Sequence, residues 1–201
     1  MNVELLDITG SPEELIDKCA HVCYNSKPRE NPDARGKFIQ GVIKRGHLSL
    51  LEHAKATFEI SGVSRALSHQ LVRHRLATYS QRSQRYVEEK TPDFVIPKTV
   101  KEKGCVQLYT YAMNTIWGYY NDLIQCGVLK EDARFVLPNA CTTTICMTAN
   151  FSEWRHIIEL RAAPDAQWEI QELVRTILKM LYEHAPNVFG DLVDKFGLQR
   201  K

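Results

Sequence analysis

Apolar and polar positions follow two rhythms along this chain of 201 residues, one helical and one alternating. Ser11-Pro12-Glu13-Glu14 opens the first helix. Ser11 caps it, Pro12 takes the first helical position and Glu14 reaches back as a capping box, with the helix running to about Tyr24. Asn31-Pro32-Asp33 starts a second helix in the same way, and Gly46 stops it. From Ala54 to Ser61 small or apolar residues alternate with polar ones, the rhythm of a half-buried strand, which Gly62 ends. Ser64 then caps a helix from Arg65 to about His74, with Ala66, Leu67 and Leu71 on its apolar side. A loop and a short extended piece ending at Tyr86 follow, and Pro92 and Pro97 bracket a further strand at Asp93–Ile96. A long helix is predicted from about Lys98 to Gln125, with Gly127 after it, and a short one over Glu131–Val136, stopped by Pro138. Thr142–Ala149 is β-branched and apolar, a strand. Ser152 caps Glu153–Leu160, and Pro164 opens a long helix that reaches about His184, ahead of Pro186. There is no internal repeat and no regular βαβ alternation. The class is therefore α+β, a mixed sheet flanked by long helices.

Composition narrows this picture. A hydrophobic content of 44% suffices for a sizeable core and fits a single domain over residues 1–201. The net charge of +2 argues against a dedicated nucleic-acid coat or a polybasic membrane anchor, and no apolar run is long enough for a membrane span. Met1–Asp7 carries acids and no basic leader, so neither a secretory nor a transit signal is expected. The six cysteines form no C-x-x-C pair and lie mostly among apolar residues, which fits buried thiols in a reduced, cytoplasmic protein.

Charge is unevenly spread all the same. Arg73, Arg75, Arg82 and Arg85 fall within fourteen residues that hold no acid, and the window Val63–Val87 adds Arg65 and still no Asp or Glu. Guanidinium forks suit phosphate oxygens, and the Ser, Gln and Tyr residues between them suit a phosphorylated small molecule with a sugar and a base. The competing reading is a solvated basic face, but with no acid nearby to pair and with Tyr79 and Tyr86 in the segment, an anionic ligand is favoured. Gly46-His47-Leu48-Ser49-Leu50-Leu51-Glu52-His53 is a second cluster. The spacing of six between its histidines misses the i, i+4 pairing of a helical zinc site and no third ligand is evident, so a structural or cofactor-holding turn is preferred to a metal site. In Arg155–Arg161 the isoleucines and Leu160 face a core, while Arg161 either compensates the helix C-terminus, pairing with Asp165 or Glu169, or points into a cleft; spacing leaves both open. Arg134 alone reads as a surface arginine. Cys141 and Cys146 sit in a strand-like run, Ser83 lacks a nucleophile elbow, and no Gly-x-Gly-x-x-Gly or Walker loop occurs.

Together these residues resemble the flavin-dependent thymidylate synthases. The family signature of Arg-His-Arg, seven residues, then Ser stands here as Arg73-His74-Arg75, Leu76 to Arg82, and Ser83. Tyr79–Tyr86, Gly46–His53, Arg134-Phe135-Val136-Leu137-Pro138, Asn150–His156, and Leu160-Arg161-Ala162-Ala163 with Ala166-Gln167-Trp168-Glu169-Ile170 are similar to the family in the same order. The first forty-five residues and the last twelve add little. The resemblance implies the family's fold and the methylation of dUMP at C5 to dTMP, with 5,10-methylenetetrahydrofolate giving the carbon, reduced FAD the hydride and NADPH recharging the flavin. It implies dUMP contacts from Gln70, Arg73, Gln81, Ser83, Arg85, Arg134 and Arg161, and FAD contacts from Ser49, Arg73, His74, Arg75, Gln81, Asn150, Ser152 and His156. Arg161 is implied as the catalytic group, a cation against the uracil edge, with Ser83 as a hydrogen-bond donor, no covalent enzyme nucleophile and no metal. A homotetramer with active sites shared between subunits is also implied, with helices 98–125 and 164–184 as the natural contacts. Some members carry Asn-Glu at Ser80-Gln81, so a base role does not transfer to Gln81. Others carry His at Asp165, so no histidine proton chemistry transfers there. The rival functions are a nucleic-acid module built on the arginine segment and a metal hydrolase built on His47, Glu52 and His53.

Overall fold

The computed structural model describes residues 1–23 and 25–199. Its strands are β1 (Asn2–Ile8), β2 (Lys55–Ser64), β3 (Ala77–Gln81) and β4 (Thr142–Asn150). Its helices are α1 (Pro12–Val22), α2 (Pro32–Lys44), α3 (Arg65–Leu71), α4 (Lys98–Glu102), α5 (Val106–Gln125), α6 (Lys130–Ala133), α7 (Phe151–Arg161), α8 (Trp168–His184) and α9 (Pro186–Lys195). The strands form one four-stranded sheet in the order β1-β2-β4-β3. The sheet is antiparallel rather than mixed, as Thr57–Thr148 and Glu59–Cys146 side-chain contacts between β2 and β4 also require. Helix and antiparallel sheet together make the class α+β.

The chain divides into two compact units: Met1–Asn2, Ile60–Leu71 and Ser80–Ile145 form the first, and Val3–Glu59, Val72–Tyr79 and Cys146–Lys201 the second. The second is built around α7 and α8. Phe151, Trp154, Ile157 and Ile158 recur at helical spacing on α7 and are fully buried. Phe58 meets Trp154 edge-on at 5.2 Å, and the Trp154 indole donates to the Ala56 carbonyl. Ile170, Leu173, Val174, Ile177, Leu178 and Leu181 give α8 one continuous buried stripe. In the first unit Trp117 and Tyr120 of α5 form the core, and the Trp117 indole donates to the Glu89 carbonyl at 3.0 Å.

Local chemistry explains where the elements depart from expectation. Asn31 caps α2 through the N–H groups of Asp33 and Ala34, and Ser64 caps α3 through Leu67 N–H, both as read. Ser11 instead sits left-handed at φ 47° and its side chain makes no cap bond. Helix α1 ends at Val22, and its expected end at Tyr24 lies outside the described residues. Gly62 does not end β2: at φ 65° it bends the strand, which continues to Ser64. Helix α3 stops at Leu71, its last buried residue, and the extended piece of the arginine segment is β3, closing at Gln81 before a turn at 84–86. Asp93–Ile96 contributes only one bridge, Phe94 to Cys141. The helix expected over Lys98–Gln125 is broken between α4 and α5, where Gly104 takes φ 68°. The short helix over 131–136 begins at Lys130 and tightens to a 3-10 turn over Arg134–Val136. Asn150, not Ser152, caps α7, accepting from Glu153 N–H at 2.8 Å. Gln167 caps α8 at Trp168, four residues beyond Pro164; α8 ends at His184 as expected, and Pro186 just beyond it opens α9.

Candidate active site

Of the residues the resemblance assigns to the flavin, Ser49, Arg73, His74, Arg75, Asn150, Ser152 and His156 fall in the second unit and Gln81 in the first. His74 leaves α3 by a short turn and is buried, 5% exposed. Its Nε2 accepts from Arg161 Nε at 3.0 Å, across 87 positions of sequence. Its ring lies edge-on to His156, centroids 5.9 Å apart, and its carbonyl accepts from the Tyr79 hydroxyl at 2.9 Å. Glu153 Oε1 approaches its Nδ1 to 3.8 Å. Burial, then the Arg161 guanidinium and His156, lower His74 to about 4. The ring is therefore neutral at pH 7, as accepting from an arginine N–H demands. The Glu153 carboxylate, beyond direct hydrogen-bond range, does not reverse this, and burial raises its own pKa. Arg73 and Arg75 are exposed and make no hydrogen bond or ion pair among the described residues. Ser152 is half-buried and Asn150 spends its carbonyl on capping α7. Ser49 lies in a 3-10 turn over Leu48–His53 and lines a hollow of about 490 Å³ with Phe38, Val42, Arg45, His47 and Leu50.

Of the residues assigned to the nucleotide alone, Gln70, Ser83, Arg85 and Arg134 fall in the first unit and Arg161 in the second. Gln81 donates to Ser68 at 3.0 Å and to Thr143 at 3.1 Å, so β3, α3 and β4 share one polar contact. Gln70 lies two residues from Ser68 on α3 and is half-buried. Ser83 Oγ accepts from Arg85 N–H at 3.2 Å, which leaves the hydroxyl proton to donate. Arg85 Nε pairs with Glu131 at 2.5 Å, and Arg134 Nε donates to the Glu131 carbonyl at 3.0 Å, so Arg85 and Arg134 meet at one residue. Arg82, just before Ser83, reaches both oxygens of Glu89 at 3.1 Å. The arginine segment is thus not without acids: Glu89 and Glu131 come from outside the acid-free window.

Exposed, unpaired guanidinium groups suit phosphates and an apolar-floored hollow suits a flat aromatic group, though of the expected flavin residues Ser49 alone lines that hollow. A larger hollow of about 630 Å³, among Gln40, Tyr182, Asn187 and Asp194, contains none of the expected residues. Among the described residues no group of three or more His, Cys, Asp or Glu could hold a metal ion, His47, Glu52 and His53 included. Burial pushes the Cys141 thiol up to about 12, so it is not a thiolate nucleophile at neutral pH. Sequence reading missed Glu131, Glu89 and Glu153. The first two lie outside the acid-free stretch Val63–Val87, and the third stands in the Asn150–His156 motif with no partner visible in the sequence.

Over residues 4–187 the chain matches the model of the family described as thymidylate synthase complementing protein. It is 43% identical over 201 residues to a flavin-dependent thymidylate synthase of Geobacter sulfurreducens, covering 95% of this chain and 86% of that protein. The enzyme of the same name from Pyrococcus furiosus is 39% identical over 196 residues (92% of this chain, 79% of that one). That of Mycobacteroides abscessus is 36% identical over 203 residues, with 92% and 81% covered.

Proposed function

Because the chain belongs to the flavin-dependent thymidylate synthase family and is an enzyme of that kind, making thymidylate, we propose that it methylates dUMP reductively at C5 to give dTMP. When bound, reduced FAD supplies the hydride, 5,10-methylenetetrahydrofolate the carbon, and NADPH restores the flavin. The residues present fit such a group: Arg73 and Arg75 offer two uncommitted cations for its phosphates, His74, Asn150, Ser152 and His156 line the same unit, and Ser49 stands in an apolar hollow. Gln81 contacts both ligands. Gln70, Arg73, Ser83, Arg85 and Arg134 hold the nucleotide.

The Arg161–His74 contact carries this reading. It joins the end of α7 to the Arg-His-Arg motif, which supports a role for Arg161 beyond that of a compensating cation at a helix end. From that position the guanidinium lies against the uracil edge and stabilises negative charge as it develops on the ring, which activates C5 without a covalent enzyme nucleophile. Ser83 donates a hydrogen bond to substrate and does not attack it.

The chain acts as a single domain with its family's fold, as a cytoplasmic homotetramer whose active sites take residues from more than one subunit. Two observations support this. Helix α5 presents Leu108, Tyr111 and Tyr119 to solvent at 71%, 73% and 62% exposure, whereas the apolar stripe of α8 is buried in its own unit. All six cysteines are free thiols, and among the described residues no helix is long and apolar enough to cross a membrane. The test is direct. Purified protein takes up FAD and, given dUMP, methylenetetrahydrofolate and NADPH, yields dTMP; flavin binding without any dTMP would overturn the reading.

A further inference from the structure

Glu153 is placed with unusual care for a residue that touches no ligand in the reading above. Its N–H is the one Asn150 caps, at 2.8 Å, so it stands in the first turn of α7. It is 6% exposed, and a carboxylate so buried requires a favourable partner. It approaches His74 Nδ1 to 3.8 Å, on a ring itself 5% exposed, and His156 and Tyr79 also lie within its electrostatic reach. On the far side of that ring Nε2 accepts from Arg161 Nε at 3.0 Å. A neutral imidazole that accepts at Nε2 carries its proton on Nδ1. Nδ1 is the ring nitrogen that approaches Glu153, so a donor on one nitrogen and an acceptor near the other favour the same tautomer.

We propose that Glu153 is a positioning residue: its carboxylate keeps the His74 proton on Nδ1, and His74 Nε2 thereby holds the Arg161 guanidinium in its working orientation. This deepens the reading in which Arg161 acts on the uracil ring, and rests on it for its effect on turnover. The opposite tautomer sets an N–H of His74 against the N–H of Arg161, and the side chain loses its 3.0 Å anchor. Since the Glu153–His74 approach exceeds a direct hydrogen bond, the selection passes through one bridging water that accepts from Nδ1–H and donates to the Glu153 side-chain oxygen. The arrangement follows the logic by which a carboxylate behind a histidine fixes which nitrogen faces the working group.

The tautomer can be read without any reaction. Ring-nitrogen NMR shifts of ¹⁵N-histidine-labelled protein, with His74 assigned by a His74→Gln variant, report which nitrogen is protonated. The wild type is expected to carry the proton on Nδ1 at pH 7.5; a proton on Nε2 would overturn the proposal outright, whatever the variants do. Glu153→Ala is expected to shift His74 substantially toward the Nε2-protonated form and to lower kcat by about tenfold or more, with the KM for dUMP changed by less than about threefold. Glu153→Gln, whose amide oxygen still accepts, restores most of both. A Glu153→Ala protein that keeps the wild-type tautomer and kcat contradicts the proposal, as does a Glu153→Gln protein no better than Glu153→Ala. If Arg161→Ala turns over normally while the tautomer shifts as expected, the role of Arg161 fails and the tautomer assignment stands.

Discussion

Arg85 of the first unit and Arg75 of the second are both expected to meet phosphate-bearing ligands, yet they are held in opposite ways. Arg85 is paired with Glu131, and its neighbour Arg82 with Glu89. Arg75, like Arg73, faces solvent with no partner among the described residues. A paired guanidinium is oriented before ligand arrives but must exchange one anion for another. An unpaired one is available at full charge and loses side-chain freedom only on binding. On the proposed assignments, Arg85 would meet its ligand already oriented, whereas Arg73 and Arg75 would be ordered only on binding, with the buried, neutral His74 as the fixed member of their group.

The sharpest way to break this contrast is at Arg161. Arg161→Ala should reduce turnover by about 100-fold or more, as loss of one charge-stabilising donor does, with circular dichroism and thermal midpoint preserved. Wild-type turnover would remove Arg161 from the chemistry. The pH dependence of stability probes His74 next. Its folded pKa, about 4, lies below the ordinary 6.5, so the unfolded chain binds the proton more readily between those values. Stability from this ring is full above about pH 6.5 and falls as pH drops toward 4, by at most on the order of 3 kcal/mol. In denaturant titrations a His74→Gln variant should lose that acid-side slope. At Arg75, replacement by Ala should weaken FAD roughly tenfold or more by fluorescence titration and leave dUMP affinity unchanged, because a charge-assisted hydrogen bond is lost on one ligand only. The smallest effect belongs to Glu131→Gln. Freed of a half-exposed ion pair, Arg85 should bind dUMP no more than about fivefold tighter by calorimetry. Weaker binding by more than that factor would make Glu131 itself a nucleotide contact.

Much of this was legible wherever a single residue type decides the local outcome. Asn31-Pro32 and Ser64 set helix starts by side-chain capping, and the β-branched run from Thr142 marks β4. Glycine and proline were harder, since each has more than one use. Gly62 bends a strand that goes on, Gly104 interrupts a helical pattern that looked continuous, and Pro186 begins a helix. Strand β1 escaped notice because the alternation of Asn2-Val3-Glu4-Leu5 is cut short by the adjacent Leu6, and none of its residues is fully buried. For the site, residue types and motif order singled out candidate side chains, but their pairing did not follow from order. The His74–Arg161 bond spans 87 positions, and no periodicity connects a loop histidine to the last turn of a distant helix. Glu131 finds Arg85 through the fold, which a window of neighbouring sequence does not contain.

The central claim is that the assembled enzyme holds a pyrimidine nucleotide against the flavin. Titrating dUMP into the FAD-loaded protein while following flavin absorbance tests it most directly. A saturable change in the flavin band, abolished in Arg134→Ala, is the result this account predicts. Binding of dUMP, measured in parallel by calorimetry, with an unaltered flavin spectrum would contradict it.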